Sequence, residues 1–459
     1  MATAPLLGLV PIGKFVFSHE DAMRYKRRLQ QLLDAQGVRY VDLEGVIPDG
    51  MVRAQEHVAP VVAHLRQQGI DCLFLPHCNF GTEGAAGMIA RQLDVPTLLW
   101  GPRDEQPLPD GARLRDSLCG LMATSKVLHT LRVPFTYIEN CRLEDAALTS
   151  GLDRFLRAAH VANALRRGVR IGHIGQRIDF FWTTIVNEAE LLDRFHIEVL
   201  PIDMVTFIRH VRARAAEHQA AYQREVAQMR ATMEIVDLDD DQLRHILAVR
   251  DQMLALAADH GLDGLAIQDF DSLVDELGTY GFLANSMVSD TLPVACESDI
   301  HGAVSTILLD RALYSKEPVF LTDVTIRHPE DDNGVLLWHA GAPLRMRHPE
   351  HPVRVGHHWI LPSPVSGMPH FPLHPGPLTV ARFDGRTGEY VLAVGEGASM
   401  DGPFTLNNYV WMKVDNWPRW ERTLIEGPYI HHTAMAYGHY ADALAEACKY
   451  VPGLEAVRL

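Results

Sequence analysis

Cysteine is scarce in this chain. Cys72, Cys78, Cys119, Cys141, Cys296 and Cys448 are scattered without a CxxC pair, which suggests neither a zinc knuckle nor a disulfide framework and suits reduced thiols in a reducing compartment. Positive charge is short as well: 42 Lys and Arg face 58 Asp and Glu, for a formal charge of −16, and no run of Lys and Arg interrupts the deficit. That balance argues against wrapping a polyanion such as nucleic acid. No stretch approaches the roughly 20 uninterrupted apolar residues of a membrane span, and MATAPLLGLV lacks the basic front of a signal peptide. A Gly-x-Ser-x-Gly elbow is missing, so nucleophilic serine catalysis has no support. IGHIGQR, Ile171 to Arg177, lacks the third glycine and the Lys-Ser/Thr ending of a phosphate loop and reads as a tight strand-to-loop turn. The expectation is a cytoplasmic protein that acts on a small neutral or metal-bound molecule, without nucleic acid or membrane as partner.

What is present points to a large globular chain. With 459 residues and 47% hydrophobic content it can bury several cores, and at about 150 residues per domain it should hold three. From Leu6 onward, short apolar runs (LLGLV, VRYVDL, CLFLPHCN, TLLWG) alternate with amphipathic stretches such as HEDAMRYKRRLQQLLDAQG and TEGAAGMIARQL. This βαβα grammar predicts a parallel sheet with helices on both faces and functional residues on the loops after the strands. A helical region from Leu143 ends at Gly168, and VRIGHIG restarts the pattern. NEAELLDRFH, IEVLPID, two long helical stretches over Arg212 to His260, and GLAIQDF follow. After Tyr314 the text changes to strands with hairpin signals, DDNG at Asp331–Gly334 and FDG at Phe383–Gly385, with one helix over about Thr433 to Tyr450. The expected architecture is two Rossmann-like parallel α/β domains, 1–168 and 169–314, followed by a mainly β, barrel-like domain over 315–459.

Histidine is abundant, with 24 in all and ten between His339 and His439, so a ligand set in the last third is worth seeking. PVACESDIHGAVSTILLD, Pro293 to Asp310, is an apolar strand that breaks into Glu297, Ser298 and Asp299 before an expected amphipathic helix. A carboxylate at the end of a buried strand is costly unless paired. VFLTDVTI and VLLWHAG flank a turn near Asp332, and a hairpin there sets Asp323 and His339 on neighbouring strands. EGPYIHHTAMAYGHY adds His431 and His432 at an expected helix entrance. Glu297, Asp323, His339 and one of the two adjacent histidines would make an oxygen-rich site suited to Mn²⁺, or to Co²⁺ or Mg²⁺, with open positions for substrate oxygens. Each residue also has an ordinary structural reading. Glu297 could favour a helix N-terminus, Asp323 could pair with Arg327, and His339 could be a satisfied core histidine. Gln268 and Asp269 in GLAIQDF, Asn285 and Ser286 in FLANSM, and Trp338 are further candidates for holding sugar hydroxyls or stacking on a sugar face. GHHWILP, Gly356 to Pro362, could bring His357 or His358 to the same place.

PVACESDIHGA after an NSM-containing loop, FLTDVT, LLWHAG and the late HHT, in that order, resemble the L-fucose isomerase and L-arabinose isomerase family. The resemblance implies a cytoplasmic aldose–ketose isomerase of three domains that binds Mn²⁺ through positions matching Glu297, Asp323 and His432, with His339 matching a ligand of the arabinose branch. It implies Glu297 as base and Asp323 as acid or proton shuttle, with His431 left to face the substrate. A homo-oligomer, trimer or hexamer, is implied too, in which PHCNFGTEG and WGPRDE reach a neighbour's site. A sugar epimerase on the same metal site and a non-catalytic sugar-binding protein are the rival readings.

Overall fold

Apolar runs too short for helices, each followed by an amphipathic stretch, can bury both faces only as a parallel sheet sandwiched by helices. The computed structural model describes residues 4–269, 271–360 and 365–459. In it Leu7–Leu9 (β1), Tyr40–Val41 (β2), Cys72–Pro76 (β3), Thr97–Trp100 (β4) and Thr136–Tyr137 (β5) form a wholly parallel sheet in the order β2-β1-β3-β4-β5. Helices His19–Ala35, Val58–Gln68, Glu83–Leu93 and Ser117–Thr130 connect the strands, and Val61, Leu65, Leu73, Leu75, Ile89 and Leu128 meet in their core. This compact unit runs to Asn163 and takes in Glu446–Pro452; the other comprises Ala164–Ala445 and Gly453–Leu459.

Within the first unit the helix Ser117–Thr130 approaches the loop after β3 so closely that a Cβ on Gly120 would lie 1.7 Å from the Phe80 carbonyl oxygen. Backbone cannot yield as a flexible side chain does. Gly120→Ala is therefore expected to cost at least the roughly 1–3 kcal/mol of an overpacked site, read as a lower urea midpoint. An unchanged midpoint would show that helix and loop can separate freely.

The other unit starts with a second parallel sheet. Val169–Ile174 (β6), Ile197–Ile202 (β7), Gly264–Ile267 (β9) and Val294–Ala295 (β10) run in the order β10-β9-β6-β7, while Met233–Ile235 (β8) leaves for a different sheet. Numbered within each sheet, the first reads 2-1-3-4-5 and the second 2-1-3-4, the flavodoxin-like doubly wound order, and not the 3-2-1-4-5-6 order of a dinucleotide-binding sheet. The two sheets therefore share one plan. Gly175, at φ +85, makes the turn after β6 that IGHIGQR predicts.

The last third closes on itself. Phe320–Arg327 (β11), Gly334–His339 (β12), Val353–His357 (β13), Ser366–Pro372 (β14), Pro377–Arg386 (β15), Glu389–Met400 (β16), Asn408–Lys413 (β17), His432–Tyr437 (β18) and Leu454–Arg458 (β19) join β8 in one sheet. Antiparallel pairings run β16-β15-β18-β11-β12-β17 and then back from β17 to β16, a closed six-stranded barrel. Strand β19 flanks it on β16, and β14, β13 and β8 extend it from β17.

Several local expectations change. The stretch HTAMAY, His432 to Tyr437, is strand and not helix, because the barrel needs a strand between β15 and β11; the last helix begins only at Ala441 and ends at Cys448. Packing overrides the modest helical preference of its Ala and Met residues. FDG lies inside β15, and the turn to β16 is made by Thr387 and Gly388. Arg212 to His260 holds parts of three helices, not two, the first two parted at His218 and the last two by β8. The helix after Glu297, Ile300–Ala312, is not amphipathic, since every residue but Arg311 is buried. FLANSM, expected at a strand end or loop, lies in the helix Phe282–Val288.

Candidate metal centre

Four strands of this second unit, β10, β11, β12 and β18, deliver the candidate residues to one place. Strand β10 ends at Ala295, and Glu297 and Ser298 both take left-handed backbone conformations, at φ 60 and φ 57. Two successive non-glycine residues in that region cost on the order of 1–2 kcal/mol each, so the surroundings hold them there. The sharp turn is anchored by the Ser298 N–H donating to the Ile267 carbonyl at 3.0 Å and by Ser298 Oγ donating to the Gln176 carbonyl at 3.1 Å. It leaves the Glu297 carboxylate at the C-terminal edge of a parallel sheet, where such folds carry their functional groups.

The barrel supplies the rest. In register Asp323 lies opposite Trp338 on β12 and opposite His432 on β18, so these residues share one barrel face, and His339 is one residue off the level expected for it. His432 Nε2 stands 3.3 Å from Glu297 Oε2 and 3.4 Å from Asp323 Oδ1, and His339 Nε2 stands 3.7 Å from that same Asp323 oxygen. Glu297, His339 and His432 each offer a donor atom within 4.8 Å of the others, and so do Asp323, His431 and His432. His432 belongs to both groups and is wholly buried, whereas the His431 side chain is 48% exposed, with Nε2 3.8 Å from Asp323 Oδ1.

Buried Nε2 of His432, Nε2 of His339 and Oδ1 of Asp323 have no hydrogen-bond partner among the described residues. Leaving three such groups unsatisfied in one spot is expensive, at about 1–3 kcal/mol apiece, unless a ligand completes them. A divalent cation fits. Carboxylate oxygens mixed with imidazole nitrogens suit Mn²⁺ or a similar ion, and His432 has only Nε2 to give because its Nδ1 is 2.9 Å from Asp299 Oδ2.

The electrostatics point the same way. Burial alone would depress the His432 imidazolium, but Asp299, Glu297 and Asp323 outweigh it and raise its pKa to about 10. Burial likewise pushes the Glu297 carboxyl up, yet His432, His339 and His431 bring it below its usual value, so it is an anion. Asp269, fully buried behind Glu297, is pushed up to about 7 by burial, against a hydrogen bond to Cys296 and with the Glu297 charge adding to the rise. Three carboxylates focused on one imidazole form a field that attracts positive charge.

The other candidates take varied places. Trp338 is 8% exposed, donates from Nε1 to the Leu406 carbonyl at 2.7 Å, and has its ring near His339 and His358. Gln268 follows β9 and donates to the Gln176 carbonyl at 3.4 Å. Asn285 is fully buried, and its Nδ2 donates to Asp269 Oδ2 at 2.8 Å; Ser286 is fully buried beside it on the helix. His357 faces Asp237 at 2.9 Å, while His358 packs on Tyr280, Phe282 and Trp338. Leu361 and Pro362 of that stretch lie outside the described residues. Arg327 pairs with Asp332 and not with Asp323.

Four buried groups behind His432 escaped the sequence reading: Asp299, Arg382, Asp384 and His301. Arg382 donates to Asp299 Oδ2 at 2.5 Å and from Nε to Asp384 Oδ2 at 2.8 Å, and Asp384 Oδ1 is 3.1 Å from His301 Nδ1. The available signal was VARFDG, where Arg382 and Asp384 are two apart on a strand and so share a face otherwise apolar.

Comparison with known proteins follows the same line. Residues 8–166 match the family described as Fucose/sulfoquinovose isomerase, N-terminal domain, and residues 370–453 match L-fucose isomerase, C-terminal domain. The chain belongs to the fucose isomerase-like family. A sulfoquinovose isomerase from Priestia aryabhattai is 24% identical over 445 residues, 95% of each chain, and one from Priestia megaterium (strain ATCC 12872 / QMB1551) matches equally. A third, from Alkalicoccus urumqiensis, is 26% identical over 317 residues, 68% of this chain and 69% of its own. These likenesses support a sugar aldose–ketose isomerase. Of the candidate ligands His431 and His432 fall inside a matched domain of this fucose isomerase-like chain; Glu297, Asp323 and His339 lie between the two. No helix among its described residues is long and apolar enough to cross a membrane.

Proposed function

We propose that this chain interconverts an aldose and its ketose through an enediol, at a centre where Glu297, Asp323 and His432 hold Mn²⁺ or a similar divalent ion and His339 stands by as a fourth donor. The observation that carries this reading is the convergence of three unpartnered buried donor atoms, from Asp323, His339 and His432, with the ionised Glu297 carboxylate. The bound ion would supply Lewis-acid polarisation of the sugar's carbonyl and neighbouring hydroxyl oxygens.

The protein groups do the proton work. Moving a carbonyl from C1 to C2 requires that C2 lose a proton and C1 gain one, while the C2 hydroxyl gives up its proton and the C1 oxygen is protonated and becomes the new hydroxyl. Glu297, an anion held by strained backbone, takes the proton from C2 and returns it to C1. Asp323 shuttles the proton between the two oxygens. His431, half exposed at the edge of the centre, faces the sugar, and Trp338 forms an apolar wall beside Asp323. As substrate we favour sulfoquinovose, the sugar named for the relatives, ahead of an L-fucose- or L-arabinose-like sugar. We also propose a homo-oligomer.

Proton NMR in deuterated water, on sulfoquinovose and a panel of pentoses, hexoses and deoxy sugars, tests substrate and reaction together. Ketose should appear with solvent deuterium at carbon, and prior dialysis against a chelator should stop it until Mn²⁺ is restored. An epimer in place of a ketose would make the enzyme an epimerase on the same centre. No exchange with any sugar would sink the isomerase reading and leave a binding protein, while turnover indifferent to the chelator would sink the metal.

A further inference from the structure

Behind His432 lies a buried chain of charge that the reaction does not touch. Asp299 is 0% exposed, Arg382 1%, His301 4% and Asp384 5%. Taking that many ionisable groups out of water costs several kcal/mol per ion, and well-packed apolar residues would serve stability as well or better. The network therefore calls for a reason beyond filling the core.

Its geometry supplies one. Asp299 caps the helix Ile300–Ala312, with Oδ1 accepting from the Gly302 N–H at 2.8 Å. Its Oδ2 is 2.9 Å from His432 Nδ1, and Arg382 donates to Oδ2 at 2.5 Å and to Oδ1 at 3.4 Å. Both carboxylate oxygens are thus occupied, Oδ1 by the helix N-terminus and Arg382, Oδ2 by Arg382 and the His432 ring. Gly302 is what lets the carboxylate sit there, since a Cβ at that position would lie 2.6 Å from Asp299 Oδ2. Arg382 is itself held from behind by Asp384, and Asp384 by His301.

We propose that Asp299 is the positioning residue of the metal centre: it accepts a hydrogen bond from the Nδ1–H of His432, fixing the ring so that Nε2 is the free donor, and Arg382 pins Asp299 so that the carboxylate orients the ligand and does not become one. The inference rests on the metal-dependent reading above and adds to it a residue outside the ligand set. A carboxylate bonded to a metal-binding imidazole fixes its tautomer and its orientation and raises its basicity. The arginine adds direction, because its planar fork locks the plane of the carboxylate in a way that a point charge does not.

The test compares Mn²⁺ affinity of the full chain by titration calorimetry, with the visible absorption of the Co²⁺-loaded protein as a second readout. The wild type should bind one ion per chain. Asp299→Asn keeps the shape and an oxygen acceptor but loses the charge, and should bind Mn²⁺ roughly 10–100-fold more weakly with altered Co²⁺ bands, while its circular dichroism stays that of the wild type. Arg382→Lys keeps the cation but not the fork and should show a smaller loss of the same kind. A folded Asp299→Asn with wild-type affinity and an unchanged Co²⁺ spectrum would overturn the proposal. Should that variant not fold, Arg382→Lys decides, and wild-type affinity there overturns it as well. A wild type that binds neither ion would instead remove the metal reading on which the proposal stands.

Discussion

Glu297→Gln is expected to lower kcat by roughly 10²- to 10⁴-fold, the usual contribution of a positioned base, while the protein still folds and still takes up metal. Glutamine keeps the shape and one oxygen donor, so Asp323, His432 and His339 can retain an ion with it at reduced affinity. What it lacks is a carboxylate able to take a proton from carbon. The effect should therefore appear in kcat under saturating Mn²⁺, with metal affinity measured separately on the same preparation. Exchange of the C2 proton with solvent should fall in parallel with isomerisation, because both need that abstraction. If kcat stays within tenfold of wild type once the site is saturated, Glu297 is a ligand and nothing more, and the base must be sought at Asp323.

The strain around Glu297 sharpens that expectation. Glu297 and Ser298 sit in left-handed conformations although neither is glycine, and the hydrogen bonds of Ser298 to Ile267 and Gln176 hold the turn. A residue kept in an unfavourable conformation on a rigid sheet edge is typical of groups whose position matters to within about 0.5 Å.

How much of this was readable without coordinates differs by element. The parallel sheets were legible because each strand is a continuous apolar run followed by an amphipathic helix, a pattern that local residues carry on their own. The hairpin of β11 and β12 was legible from its turn, and it brought Asp323 near His339 before any fold was known. Strand β18 was not, because HTAMAY has no β-branched run, and only the vacancy between β15 and β11 in a closed barrel makes it extended. That error also hid a relation: as a strand, β18 sets His432 directly opposite Asp323, which a helix entrance would not do. Asp299 stands two residues from Glu297, yet its role was not legible, since its partner Arg382 lies 83 residues away on a strand whose neighbours come from elsewhere in the chain. Buried charge pairs of that separation leave no local pattern.

Arg382→Met should cost the protein about 3–5 kcal/mol, the largest stability loss expected of a single substitution here. Methionine fills much of the volume, so the cost is electrostatic: Asp299 and Asp384 would remain buried without the cation they share. Burial on its own would push both carboxyls up, and in the native protein Arg382, with His432 on Asp299 and His301 on Asp384, holds them below the ordinary carboxylate value. The sign of the pH dependence follows. A carboxyl whose folded pKa is depressed contributes stability that is present above its unfolded value, near 3.8, and is lost as pH falls toward the folded value. Without Arg382 the depression shrinks or reverses, so the variant binds more protons in the folded state than the wild type does. The stability gap between the two should be widest near neutrality and narrow on acidification through the carboxylate range. Urea unfolding of both proteins in chelator, at neutral pH and at about pH 4, reads the gap directly. A gap that is small at neutrality, or that widens in acid, would mean that Arg382 does not neutralise the two aspartates, and the clamp on His432 would lose its support.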